Sequence, residues 1–143
     1  MLNDVYTAIA SRIEELYDTR PIIYFDSLPQ DFRAPCFFIN LLQASVKPQL
    51  FNRYELQMDF DILYYPQSEK EDDVTELNEV AYLLDFGLEY IKLSDGPLRG
   101  YDISHRVTDD VLHFMITYRI FVRKELEKSP FMQNLVQKYR IKT

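Results

Sequence analysis

The stretch Tyr54-Glu55-Leu56-Gln57-Met58-Asp59-Phe60-Asp61-Ile62-Leu63-Tyr64-Tyr65 alternates cleanly. Leu56, Met58, Phe60, Ile62 and Tyr64 share one face, and Glu55, Gln57, Asp59 and Asp61 share the other. Period two marks a strand with one side on a core and the other polar. Pro66 ends it, because proline cannot donate to a strand ladder. Upstream, Pro35 leads into Cys36-Phe37-Phe38-Ile39-Asn40-Leu41-Leu42, apolar nearly throughout, as in a strand covered on both sides or embedded in an assembly. Lys47-Pro48-Gln49 lies between the two strands, so a long β-hairpin with arms reaching beyond the sheet is the simplest connection.

Working outward, residues 3–18 place Val5, Ile9, Ile13 and Leu16 three and four apart behind Asn3 as a cap, which predicts an amphipathic helix. Ile22 to Phe25 reads as a brief strand after Pro21. Over residues 70–92, Val74, Leu77, Ala81, Leu84, Leu88 and Ile91 repeat at helical spacing behind an acidic first part, predicting a second helix of about six turns. Asp95-Gly96-Pro97 is a turn, and strands follow over 99–107 and 111–123 around Thr108-Asp109-Asp110. The apolar set Tyr101, Ile103, His105 and Val107 must face Leu112, Phe114, Ile116, Tyr118, Ile120 and Val122. That requires odd-numbered residues opposite even-numbered ones, as in Ile103 opposite Ile116. A two-residue Asp109-Asp110 loop has this parity, although a longer loop or bulge competes because Asp-Asp is not the favoured tight-turn pair.

The 143 residues, 47% hydrophobic and including eleven Tyr and ten Phe, suffice for one compact domain. We expect an α+β fold: a mostly antiparallel sheet of about four to five strands flanked by two main helices. The charge is −7, which disfavours a nonspecific grip on nucleic-acid phosphates. It is unevenly spread: residues 119–143 hold seven basic and two acidic side chains, and residues 1–118 hold nine and twenty-one. The expected division is therefore one domain over 1–123 and a basic C-terminal arm over 124–143. Ser129-Pro130 could start a short helix there, with Phe131, Met132, Leu135 and Tyr139 sharing one side. Such an arm would either fray or dock on an acidic neighbouring subunit. The single Cys36 forms no internal disulfide, the acidic start does not resemble a signal peptide, and Cys36 to Ile39 is too short to span a bilayer, so neither export nor a membrane is expected.

Candidate chemistry is sparse. With the predicted parity, His105 faces the apolar side and His113 the other, so they cannot converge on a metal. Cys36 sits between proline and two phenylalanines, as a packed thiol does. Glu55, Asp59 and Asp61 could supply paired carboxylates for acid–base chemistry, but solvated or interface strands carry such acids routinely. Only Gly87, Gly96 and Gly100 are present, too few for a phosphate-cradling loop. No catalytic, cofactor or metal site is expected. The aromatic strands and the loop Leu50-Phe51-Asn52-Arg53-Tyr54 point instead to oligomerisation.

Taken together, Ala34-Pro35-Cys36-Phe37-Phe38-Ile39-Asn40-Leu41-Leu42, then Asn52-Arg53-Tyr54, then Phe60-Asp61-Ile62-Leu63-Tyr64-Tyr65-Pro66, resemble the tail terminator (tail completion) family of tailed phages and Gram-positive prophages. The order of elements over residues 1–123 is similar too. The resemblance implies a non-enzymatic virion protein, made in the bacterial cytoplasm and placed at the tail–head junction. It would form a ring, typically six-fold, that stops tube growth and docks the head. Its partners would be copies of itself, the tail tube protein and a head connector protein, with DNA only passing through. Asn52, Arg53, Tyr54, Phe131, Leu135 and Tyr139 are then the interface candidates, and Glu55, Asp59 and Asp61 candidates for lining the lumen. Two alternatives are another neck or head-closure protein and, from a different class, a small host hydrolase using the acidic strand face.

Overall fold

A computed structural model describes residues 2–17, 20–67, 73–126 and 139–142. Its elements in chain order are α1 (Leu2–Leu16), β1 (Ile22–Phe25), β2 (Cys36–Pro48), β3 (Arg53–Tyr65), α2 (Asp73–Gly87), β4 (Tyr90–Leu93), β5 (Gly96–Thr108), β6 (Val111–Leu126) and β7 (Tyr139–Lys142). The fold is α+β, as expected, with seven described strands rather than four or five. The sheet order is β1-β2-β3-β6-β5-β4, with β7 paired to β6 beside this path. Among the described residues, only β1 with β2 is parallel; every other pairing is antiparallel.

The alternation in β3 sets the two sides of the sheet. Met58, Phe60, Ile62 and Tyr64 are buried beneath the helices, and Glu55, Gln57, Asp59 and Asp61 lie on the helix-free side. Phe37 and Ile39 of β2 pair with Tyr64 and Ile62, and Leu112, Phe114, Ile116 and Tyr118 of β6 complete the core floor. Helix α1 buries Val5, Ile9 and Ile13 on this floor, its Tyr6 ring meeting Phe60 edge-on at 5.4 Å. Helix α2 buries Leu77, Ala81 and Leu84, and Tyr64 Oη donates to Glu76 Oε2 at 3.0 Å. Each apolar side chain fully buried this way contributes about 1.5–3 kcal/mol.

Three sequence expectations are corrected, and the turn left open between two forms takes one of them. The helix expected over 70–92 is α2 followed by β4. Helix, connecting turn and strand present Leu84, Leu88 and Ile91 in succession to the same core, so the apolar spacing continues where the helix does not; residues 70–72 lie outside the described residues. The β5–β6 turn has the two-residue form, with Asp109 and Asp110 at φ 54° and 62°, as a type I′ turn requires. From Thr108 opposite Val111 to Ser104 opposite Met115 the pairs keep the predicted parity, but a bulge between Tyr101 and Ser104 then reverses it. Tyr101 therefore pairs with Thr117 on the helix-free side instead of facing the core, and Ile103 falls within the bulge rather than opposite Ile116. Finally, Tyr139 begins a strand, opposite Leu126, and not the last turn of a helix. Arg123 pairs with both Arg53 and Lys142, so β7 occupies the edge of β6 that β5 leaves uncovered. Phe131, Met132 and Leu135 lie outside the described residues.

Candidate assembly surfaces

Beyond the helix layer, β2, β3 and β6 continue as a three-stranded arm. Its tip is a second I′-like turn: Phe51 and Asn52 have φ of 61° and 62°, and Arg53 N donates to Leu50 O at 3.3 Å. A bulky aromatic residue in the left-handed region is strained. Phe51 is also 86% exposed and Leu50 78%. Asn52 O accepts from Lys124 N at 2.7 Å, tying the turn to β6. Of the predicted interface residues, Asn52, Arg53 and Tyr54 gather at this tip but do not form one patch. Arg53 lies over Phe121 (5.4 Å) on the helix-free side, and Tyr54 meets the Lys124 ammonium (5.7 Å) on the helix side.

The acidic residues of β3 sit in a polar network on the helix-free side. Thr117 Oγ1 donates to Asp59 Oδ1 at 2.7 Å, His113 Nδ1 lies 3.0 Å from Asp61 Oδ2, and Arg119 Nε lies 3.4 Å from Glu55 Oε1. Arg119 also stacks on Tyr101 at 4.8 Å and reaches Asp102 at 3.7 Å. Glu55 and Asp61 side chains are only 17% and 13% exposed. Each carboxylate thus has its own donor or cation. Arg119, which the sequence reading passed over, is the charge centre of this face.

The remaining titratable groups have structural surroundings. His105 pairs with Asp85 of α2 at 3.1 Å, on the opposite side of the sheet from His113. Burial pushes the Cys36 thiol up to about 11, which keeps it protonated and unreactive at neutral pH. Burial and the Glu76 carboxylate likewise hold the Tyr64 phenol well above its ordinary range. Among the described residues, no group of three or more His, Cys, Asp or Glu side chains is arranged to hold a metal, and no helix is long and apolar enough to cross a membrane.

Two apolar surfaces lack a covering within the described chain. Beneath the arm on the helix side lies a trough of about 470 Å³, almost wholly apolar, lined by Ala44, Val46, Tyr54, Leu56 and Val122. Of the helices, only Leu2, the first residue of α1, reaches it. The second surface is the outer side of α2, where Val74, Tyr82 and Phe86 are 60%, 67% and 69% exposed and the two rings stack at 5.0 Å. The sequence carried this signal, since Val80 through Leu84 is apolar on every side of a helix. Reading only the inner stripe missed it.

A family model described as "Phage tail terminator protein" matches residues 4–130. The chain belongs to the phage tail terminator family. It is accordingly a phage tail structural protein, as the Pro-Cys-Phe-Phe strand and Asn-Arg-Tyr arm suggested. A search of curated proteins gives no match. One solved structure aligns over 92% of this chain and 99% of its own, at 8% identity and a TM-score of 0.41. For a tail terminator, the arm tip, the trough and the outer side of α2 are the surfaces to consider for contacts with other tail or head proteins.

Proposed function

We propose that the protein forms a closed ring, six-fold, that caps the tail tube and presents a docking surface to the head connector. The observation that carries this reading is the arm. A β-hairpin and the end of β6 run past the helix layer and finish in Leu50 and Phe51, which are strained or exposed and have nothing apolar to cover them within the described chain. Rings need contacts between unlike surfaces of successive subunits. A basic arm and an acidic body supply such a pair. In this reading Asn52, Arg53 and Tyr54 contact a neighbour or the tube, and Phe131 and Leu135 belong to the basic segment that docks on the next subunit, anchored by Tyr139 in β7 of its own sheet. The helix-free face with Glu55, Asp59 and Asp61, held by Arg119, Thr117 and His113, lines the lumen. The protein acts by contact, without catalysis.

The test is solution mass by light scattering over a concentration series, with and without purified tail tubes, for the full chain and a chain ending at Glu127. A six-subunit species, weakened by the truncation, is the expected result. A monomer under every condition, tubes included, would overturn the reading.

A further inference from the structure

Resting on the lumen placement proposed above, we infer that the helix-free face of the arm grips double-stranded DNA by its phosphates, without reading bases. Strand register puts Lys47, Glu55 and Phe121 in one row across this face and Arg53 and Arg123 in the next. Lys47, Arg53 and Arg123 are exposed, and none of them forms an ion pair among the described residues. Glu55, the acid of these rows, is already engaged: its Oε1 lies 3.4 Å from Arg119 Nε, and its Oε2 accepts from Gln49 Nε2 at 3.5 Å. Arg53 directly faces Arg123, and like charges opposite each other on neighbouring strands are destabilising. The register sets Lys142 opposite Arg123 in turn, so three adjacent strands bring basic residues to one rung. An anion lying across the rung offsets that repulsion.

The net charge of −7 opposes a grip on phosphates by the chain at large, but the local balance of this face is different. Farther along the sheet Asp59 and Asp61 are held by Thr117 and His113, and the arm is where cations are in excess. The surroundings favour a phosphate backbone over an acidic protein segment. Protein interfaces centre on apolar side chains and are depleted of charge at the core. In these rows Phe121 is the one apolar side chain, and the Arg53 guanidinium already lies over its ring at 5.4 Å. Phosphate contacts need only Lys and Arg standing on a surface, and they carry no sequence information. Duplex DNA presents one negative charge per about 1.7 Å of its axis, so an arm facing the lumen meets phosphates at any rotation of the duplex.

The test is fluorescence anisotropy of a labelled duplex of about 20 base pairs with the full chain, between about 50 mM and about 200 mM salt, with light scattering on the same samples. Binding that is equal for unrelated sequences and falls with salt is the expected result. Arg53→Gln with Arg123→Gln should weaken it at least about tenfold at the low-salt end. The same variant should flatten the slope of log affinity against log salt by about two, because each phosphate contact contributes about 0.9. Arg20→Gln with Lys92→Gln removes the same charge from exposed positions outside β2, β3 and β6 and should leave binding unchanged. Equal losses in the two double variants would reduce the effect to net charge and overturn the inference. No binding at the low-salt end would overturn it too, as would a polyglutamate peptide that displaces the duplex at equal charge, which would assign the rung to an acidic protein. A ring that ignores DNA leaves the ring reading standing. Binding by subunits that never form a ring, lost in Arg53→Gln with Arg123→Gln, keeps the phosphate contact and removes the ring.

Discussion

Two tyrosines show how much depends on where a hydroxyl ends. Tyr118 is fully buried and its Oη donates to Leu88 O at 2.6 Å, pinning the end of α2 to the sheet. Tyr118→Phe strands that carbonyl in the core and should cost about 1–3 kcal/mol in urea unfolding. Tyr17 Oη is also buried but, among the described residues, has no hydrogen-bond partner. Tyr17→Phe should therefore be neutral or slightly stabilising at pH 7. The same residues set the alkaline limit. Burial raises Cys36 from 9.0 to about 11, and Tyr6 and Tyr17 from 10.0 to about 12. Between those values the unfolded chain releases protons that the folded chain keeps, so stability falls as pH rises: from about pH 9 for the thiol and about pH 10 for the phenols. Thermal melts from pH 8 to pH 12 should show the decline, with a shallower slope in Tyr17→Phe. Gly100 lies opposite Tyr118, where a Cβ would clash with the Ile116 side chain and come within 3.2 Å of the Tyr118 ring. Both neighbours are buried, so Gly100→Ala should cost about 1–3 kcal/mol through overpacking.

At the scale of elements, the arm makes a prediction that separates folding from assembly. Leu50 and Phe51 touch water, so replacing both with Ser should leave thermal melting within about 0.5 kcal/mol of the parent. It should abolish capping of purified tubes, scored as continued tube growth in electron micrographs. The elements also show what a sequence can reveal. β3 was readable because its two-residue period depends on nothing beyond itself, and the face it assigns to Glu55, Asp59 and Asp61 is the face they occupy. β4 was hidden because Leu88 and Ile91 meet the same core as α2, so the apolar spacing does not record the change from helix to strand. The bulge at Asp102 and Ile103 was hidden too: Asp102 takes a φ of 54° without the glycine that usually announces it. That single residue moved Tyr101 across the sheet to Arg119. At the candidate site, Asn52-Arg53-Tyr54 was legible by its composition. The trough was not, because it arises from the sheet being longer than its helices, a comparison between elements that no local pattern contains.

For the whole molecule, the uneven charge matters more than the net charge. A uniform −7 would only make copies repel, whereas a basic end and an acidic body repel in most orientations and attract in one. Such steering acts over the Debye length, about 30 Å at 0.01 M salt and about 3 Å at 1 M. It therefore speeds encounter and does little once surfaces are desolvated. The apolar surfaces, Leu50 and Phe51 at the tip together with the trough and the α2 ridge, respond to salt in the opposite sense, if at all, because burial of carbon does not depend on screening. The two contributions can thus be separated kinetically. Stopped-flow light scattering of subunits assembling on tubes should show the association rate falling at least about tenfold between about 0.01 M and about 1 M salt, with dissociation changing far less. Lys47→Glu with Arg123→Glu should reproduce the high-salt rate at low salt. Leu50→Ser with Phe51→Ser should instead keep the low-salt association rate and shorten the lifetime of the assembled ring, because it leaves the charges in place and removes carbon from the contact.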